Sequence, residues 1–440
     1  MTQLLKKALV YQEAFVPGRR DGIAVLRNLL DAGLVRDYVL YESPDEVRIA
    51  ANALAEASLV ADAVSLRFNG TSAKEAVSDP FKQIESLLGE LDIADWCAYG
   101  WIGFDVARYY SAYTRQIDQP IVHLIIPEVE LRLDSRGVRV RSVRPLAEIL
   151  EVIAREAPPL DYVPTPPPMV GDDRAEYERQ VRQLTGAIRS GHLHKAILSR
   201  SVKFRGNLDV PGTYVVAGRA NTAVRSYCLQ AGDVRAVGFS PEILMLVSAD
   251  GQVITNPLAG TRPRAADSDE DARLNGELFT DAKEVKEHAL SIWLAQSEIA
   301  SVCREGSTRI YDFMEVKRYR TVQHLSSRVG GRLDTGRTLW DALSALFPGI
   351  TVSGIDKPRA LEWIDRLEGE PRGLYAGAIG WVDSDGRADL AIAIRSVYQY
   401  GETIALNAGA GIVAESLPER EYMESVHKMN TMRTQLVLEQ

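Results

Sequence analysis

The sequence predicts an α+β fold with mostly antiparallel sheet. Two observations carry that prediction. Runs of alternating apolar residues follow one another with turn signals between them, the clearest being Asp250-Gly251. Mixed among these runs are amphipathic stretches with a helical period.

Taken in order, 22–33 and 44–63 have helical periodicity, and 81–91 reads as a further amphipathic helix. Residues 121–143 alternate like strands, with a turn at Asp134-Ser135-Arg136-Gly137. The aromatic, Gly-rich stretch 96–105 reads as core packing where a strand meets a helix, with a ligand role as the other reading. Six prolines between Pro158 and Pro168 mark an extended connection. The chain thus divides into a less distinctive part, 1–156, a Pro-rich connection, 157–171, and a part rich in chemical motifs, 172–440, within one domain. Asp173 with Glu176 opens a helix that Gly191 ends. Residues 194–202 follow as a strand, with Ala196, Leu198 and Val202 on one face and Lys195, Ile197 and Ser199 on the other. Strands are expected at 236–239, 243–248, 253–256, 375–382, 388–399 and 403–409, and a long helix from Asp281 to about Cys303. The last helix begins near Ser416 and Glu419, which have capping-box spacing, with Pro418 in its first turn.

Composition narrows the function. Of 440 residues, 46% are hydrophobic and 25% charged, as in a soluble globular chain with a real core. The formal net charge of -9 argues against a nucleic-acid or anionic-membrane partner at the level of the whole surface. A basic local pocket for a small anion stays open. The three cysteines are far apart and outside any CxxC, which disfavours disulfides and zinc and suits a reducing cytoplasm. The apolar run at the N-terminus stops at Gln12-Glu13, too short for a signal peptide, and no run of about 18 apolar residues exists.

Two helices carry paired carboxylates. Glu421 and Glu424 are three apart, with Lys428 four further on, and Glu284 and Glu287 repeat the spacing. Each set shares one helix face. Two such faces meeting could hold a hard divalent cation such as Mg²⁺. Either face alone reads equally as a solvated surface with charge partners. Lys195 lies on a strand beside apolar residues and becomes a candidate base if burial lowers its pKa; an exposed strand lysine is the plainer reading. Glu242 lies at a turn between two apolar strands, where a desolvated carboxyl could act as an acid or simply cap the turn. Arg395 ends an apolar run, as a carboxylate clamp or the partner of a structural Glu.

These residues fall within a series of motifs: HKAILSR at 194–200, GFSPEIL at 238–244, NPLAGTRPR at 256–264, DAKEVKEH at 281–288, RTVQHLSS at 320–327, FPGITVSG at 347–354, PRGLYAGAIG at 371–380, AIRSVYQ at 393–399 and NAGAGIVAESLPEREY at 407–422. In this order they resemble the chorismate-utilising enzymes, the group of anthranilate, aminodeoxychorismate, isochorismate and salicylate synthases. The resemblance spans about 195–428 and is most similar to the salicylate synthases of siderophore pathways. Lys195 resembles the lysine of the water-adding members, where ammonia-using members typically have glutamine, and Thr351-Val352-Ser353-Gly354 resembles the salicylate synthase loop. Asp356-Lys357 departs from the Pro-Lys of many relatives. No tryptophan-binding signature of the anthranilate synthases is seen in the N-terminal part.

The resemblance implies one large domain, with sheets and helices around a deep cleft, chorismate as substrate and Mg²⁺ as cofactor. It implies Glu287 and Glu421 as direct metal ligands, with Glu284 and Glu424 acting close by. It further implies Lys195 as the base that activates water and Glu242 as the general acid. Gly260, Thr261, His324, Thr351, Tyr375, Arg395, Lys428 and the amides of Gly409 and Gly411 match substrate contacts. The expected products are isochorismate and then salicylate plus pyruvate, from a monomer without an amidotransferase subunit. Isochorismate release, an anthranilate- or aminodeoxychorismate-type reaction, and a silent ligand-binding relative stay open.

Overall fold

The computed structural model describes residues 9–156, 159–167, 173–318 and 322–439, without the side chains of 259, 261, 263 and 283, nor that of 322. Two long strands, Val47–Val60 and Val122–Leu133, run antiparallel through its middle. Their register slips between Ala53 and Ala55, where Ala53 faces Pro127. Proline has no N–H for the ladder, and Asn52 beside it takes left-handed backbone at φ 52°. The ladder is thereby divided, and each half of these strands serves a different layer.

The first layer runs outward from the Val47 end. On one side lie Tyr38–Glu42, Arg225–Ala231, Val234–Ser240, Ser396–Tyr400, Thr403–Ile412, Lys195–Arg205 and Gly354–Ile355. Across Val122–Leu133 on the other side lie Gly137–Ser142 and Gln12–Pro17. The second layer uses the opposite ends. It joins Ala63–Phe68 and Thr71–Ala76 on one side to Cys97–Ile102, Ala378–Asp383, Ala388–Ile392, Ile243–Val247, Gln252–Thr255 and Val322–Arg332 on the other. Leu258–Pro263 and Arg309–Arg318 complete its far end. All these pairings are antiparallel, and the fold is a single α+β domain.

Period-two alternation separates the cores. Val39, Tyr41, Tyr227 and Ala236 point between the layers, towards Tyr99 and Trp101. Their neighbours Tyr38, Leu40, Cys228 and Val237 point outward, under the helices Gly22–Asp31, Leu146–Ala154 and Val210–Ala220. A third cluster packs the helices Arg174–Arg189 and Lys357–Leu367 on Ala196, Leu198, Ala410 and Ile412. This fixes the opposite face of those two strands as the one that carries Lys195, Ile197, Gly409 and Gly411. The stretch 96–105 is core: Trp101 is fully buried, its indole N–H donating to the Pro120 carbonyl.

Three local expectations are corrected. Residues 44–63 form no helix but the strand Val47–Val60. Ser416 does not cap the last helix, which starts at Pro418 with Leu417 before it; its hydroxyl accepts instead from the Val413 N–H at 3.1 Å. The run 388–399 is two strands, broken at Arg395, whose backbone is left-handed at φ 52°. Of the Pro-rich connection, 157–158 and 168–171 lie outside the described residues. The rest straps onto the C-terminus, with Thr165 N–H donating to Leu436 O at 2.7 Å and Arg433 Nη1 to Pro167 O at 2.7 Å. The three cysteines are free and buried. Among the described residues no helix is long and apolar enough to cross a membrane.

Candidate active site

A cavity of about 600 Å³ opens on the face of strands Lys195–Arg205 and Thr403–Ile412 that carries Lys195 and Gly411. Its wall takes in Lys195, Glu242, Gly260, Glu284, Glu287, His324, Thr351, Tyr375, Arg395, Gly409, Gly411, Glu424 and Lys428. Thirteen of the sequence-predicted residues are thus brought together from distant parts of the chain. Glu421 lies one turn before Glu424 on the last helix and is buried at 3% exposure. The side chain of Thr261 lies outside the described residues.

Lys195 is 4% exposed, and its Nζ lies 3.0 Å from Glu287 Oε2. Glu287 comes from the helix Ala282–Ala300, whose first turn is tied down by Glu284 N–H donating to Asp281 Oδ1 at 3.3 Å. Glycine at 411 makes room for this pair. A Cβ there would sit 3.1 Å from Glu287 Oε2 and 3.2 Å from Lys195 Cε.

Glu242 stands between the strands Val234–Ser240 and Ile243–Val247. Its Oε1 accepts the Thr351 hydroxyl at 2.6 Å and the Leu258 N–H at 3.3 Å. Burial pushes this carboxyl up to about 7, against the Thr351 hydrogen bond, which favours the ion. At neutral pH a large share of Glu242 is therefore protonated and able to donate.

The remaining wall is cationic and polar. Arg395 reaches it from its left-handed position between two strands, a conformation anchored by Phe239 N–H donating to the Arg395 carbonyl at 3.1 Å. Burial raises the Tyr375 phenol to about 12, so it stays a donor. Burial, helped by the charge of Arg395, lowers His324 to about 4. A neutral ring 2.9 Å from the Gly260 carbonyl must carry its proton on Nδ1, because a carbonyl only accepts. Lys428 Nζ lies 2.6 Å from Glu424 Oε1 and donates to Gly409 O at 2.8 Å. The last helix is itself clamped by Arg200, which donates to Ser425 Oγ at 2.8 Å and to both Asp173 oxygens, and lies over the Tyr422 ring.

The acidic side chains here supply only hard oxygen donors. Glu287 and Glu421 are 7% and 3% exposed. Among the described residues no three acidic, His or Cys groups converge on one point. Carboxylate oxygens are the donor type that Mg²⁺ takes, few at a time, with water and substrate oxygens completing its shell.

Sequence reasoning missed part of the wall. Ile197, Leu258 and Val352 supply apolar surface, while Arg262, Asn407 and Arg420 add polar groups. For Ile197 the signal was present, two residues from Lys195 on the same strand face. Arg262 pairs with Glu277 of the helix Ser268–Thr280 at 3.2 Å and with Asp281, the cap of that helix, at 2.9 Å, a link that no local pattern announces.

A model of the chorismate binding enzyme family matches residues 36–434. A salicylate synthase of Mycolicibacterium paratuberculosis is 33% identical over 431 residues, covering 96% of this chain and 94% of the relative. Anthranilate synthase component 1 of Haloferax volcanii is 43% identical over 260 residues, covering 58% of this chain and 49% of the relative. Among solved structures, anthranilate synthase component I of Streptococcus pneumoniae superposes with a TM-score of 0.75 at 29% identity, covering 89% of this chain and 93% of that one. The menaquinone-specific isochorismate synthase of Escherichia coli shares the fold, with a TM-score of 0.75 at 21% identity over 99% of this chain and 97% of that one. Matched over most of its length by the family model, the chain belongs to the chorismate-binding enzyme family.

Proposed function

We propose that this chain is a Mg²⁺-dependent salicylate synthase, converting chorismate to isochorismate and then to salicylate and pyruvate. The observation that carries the reading is one cavity holding a buried lysine and a carboxylic acid with a raised pKa. The near full-length likeness to a salicylate synthase supports the choice within the family.

In this reading Arg395 and Tyr375 hold the enolpyruvyl carboxylate of chorismate, and the amides of Gly409 and Gly411 face the ring carboxylate. Two fixed carboxylates leave the ring little freedom, which favours reaction in place. Lys195 takes a proton from water as the oxygen bonds to C2. The double bonds shift, and the C4 hydroxyl leaves as water with the proton of Glu242. Mg²⁺, held by Glu287 and Glu421 with Glu284 and Glu424 nearby, would offset the negative charge of the ring carboxylate. In the second step the C2 hydrogen passes to the enolpyruvyl methylene as the C–O bond breaks, giving salicylate and pyruvate. That step asks for restraint of the substrate and little acid–base help. The same reading makes the protein a cytoplasmic monomer serving siderophore synthesis, with no amidotransferase subunit.

Incubation with chorismate, with and without Mg²⁺, tests it. Salicylate plus pyruvate, formed only with metal, is the expected result, and Glu421→Gln is expected to flatten the metal titration. Isochorismate alone would make the protein an isochorismate synthase, and an aminated product on adding ammonia would overturn the role of Lys195. Gly411→Ala is expected to lower kcat about 10–100-fold by wedging a methyl between Lys195 and Glu287. Steady-state kinetics beside a thermal melt checks this, since the change should cost activity far more than Tm.

A further inference from the structure

Behind the cavity wall lies a buried ion pair that touches none of its space. Glu368, just past the helix Lys357–Leu367, is 7% exposed, and Arg372 is 4% exposed. Arg372 Nε donates to Glu368 Oε2 at 2.8 Å and Nη2 to Oε1 at 2.6 Å. The rest of the fork is spent on backbone: Nη1 donates to Val352 O at 2.7 Å and Nη2 to Ile197 O at 2.7 Å. Glu368 Oε1 also accepts the Ser199 N–H at 2.7 Å.

The sheet explains why the pair is there. On one edge the strand Lys195–Arg205 is paired by Gly354–Ile355, but only at Lys195 and Ala196. The Ile197 N–H still finds Ser353 O at 2.9 Å. Beyond that point the backbone partner has gone, and the side chains of Arg372 and Glu368 take over its donor and acceptor. The same guanidinium grips the carbonyl next to Thr351. Three residues on from Arg372 is Tyr375, and between them Gly373 N–H donates to the buried Asp105 at 2.6 Å.

We propose that Arg372 and Glu368 are positioning residues that set the distance between the Lys195 strand, the Thr351–Glu242 hydrogen bond and Tyr375. This rests on the acid and base roles given above. A planar fork with several donors in fixed directions is required, and lysine cannot reproduce it.

The test compares Arg372→Gln, Arg372→Lys and Glu368→Gln with the unaltered enzyme. A misplacement of about 1 Å between reacting groups costs on the order of 10²-fold in rate, so kcat should fall about that far in Arg372→Gln with a smaller change in KM. Arg372→Lys should recover only part of it. Loosening Thr351 also removes a hydrogen bond that favours ionised Glu242, so the alkaline limb of the kcat profile should move to higher pH. Amide hydrogen exchange should speed up at 195–199 and 350–353 while the distant core stays protected. If Arg372→Gln does not fold, Glu368→Gln, which keeps an oxygen for the Ser199 N–H, is the deciding variant. Folded variants with a kcat within about twofold of the parent and unaltered exchange in those two segments would overturn the proposal. If the unaltered chain does not turn chorismate over, the functional reading falls, and the exchange measurement still decides whether the pair holds the two segments.

Discussion

Lys195→Gln is expected to lower kcat for chorismate by about 10²–10⁴-fold, the range lost when a positioned base is removed. The amide keeps the length and polarity of the side chain but cannot take a proton from water. The change also removes one ion partner of the buried Glu287, 3.0 Å away, so this carboxylate is less well compensated. Tm should therefore fall, and added Mg²⁺ should restore part of it, because a cation beside Glu287 replaces the missing charge. Product analysis by chromatography at a temperature well below the variant's Tm separates the two effects. Near-full turnover in folded Lys195→Gln would remove lysine as the base.

The second large effect belongs to Glu242. Its carboxyl is raised from 4.5 to about 7 by burial, so the acid form needed for donation is lost as pH rises through about 7. The kcat of the native enzyme should fall on that alkaline side, and Glu242→Gln should lose about 10²–10⁴-fold below pH 7, with the gap to the parent narrowing above it. Stability carries an independent sign. Between pH 4.5 and 7 the folded state holds this proton and the unfolded chain does not, so stability falls as pH rises across that window. The shift corresponds to about 3 kcal/mol, fully lost above pH 7. Glu242→Gln removes that loss. Urea melts at pH 5 and pH 8 should show a smaller drop in the variant than in the parent, and an equal drop would mean that Glu242 is not the group titrating.

The residues that line the cavity were legible where their spacing is local. Lys195 alternates with Ala196 on a strand packed by helices on one face and lining the cavity with the other, so period two put it on the face opposite Ala196. The Glu pairs sit at helical spacing, and Asp250-Gly251 turns as such a pair does, with Gly251 at φ 76°. The strand Val47–Val60 was misread for the opposite reason. It lies between two cores, with Ala50 facing one and Ile49 and Ala51 the other, so both faces are apolar and no alternation survives. Its alanines favour helix, and pairing on both sides overrides them. The break at Arg395 carried no glycine to mark it. Its left-handed backbone is held by the strand Val234–Ser240, distant in sequence, through the Phe239 N–H. The cap expected at Ser416 failed because the Val413 N–H competes for the same hydroxyl.

The divided ladder also bears on how the chain is made. Strand Tyr38–Glu42 takes its second neighbour from Arg225–Ala231, about 190 residues further on, and Cys97–Ile102 waits for Ala378–Asp383. At roughly 5–20 residues per second, the first of these edges stays bare on the ribosome for roughly 10–40 s, the second for longer. Those edges are apolar, and an open edge of that kind pairs readily with another nascent chain. Yield in a recombinant host should therefore depend on chaperones that shield the early strands, and slower synthesis should lower it.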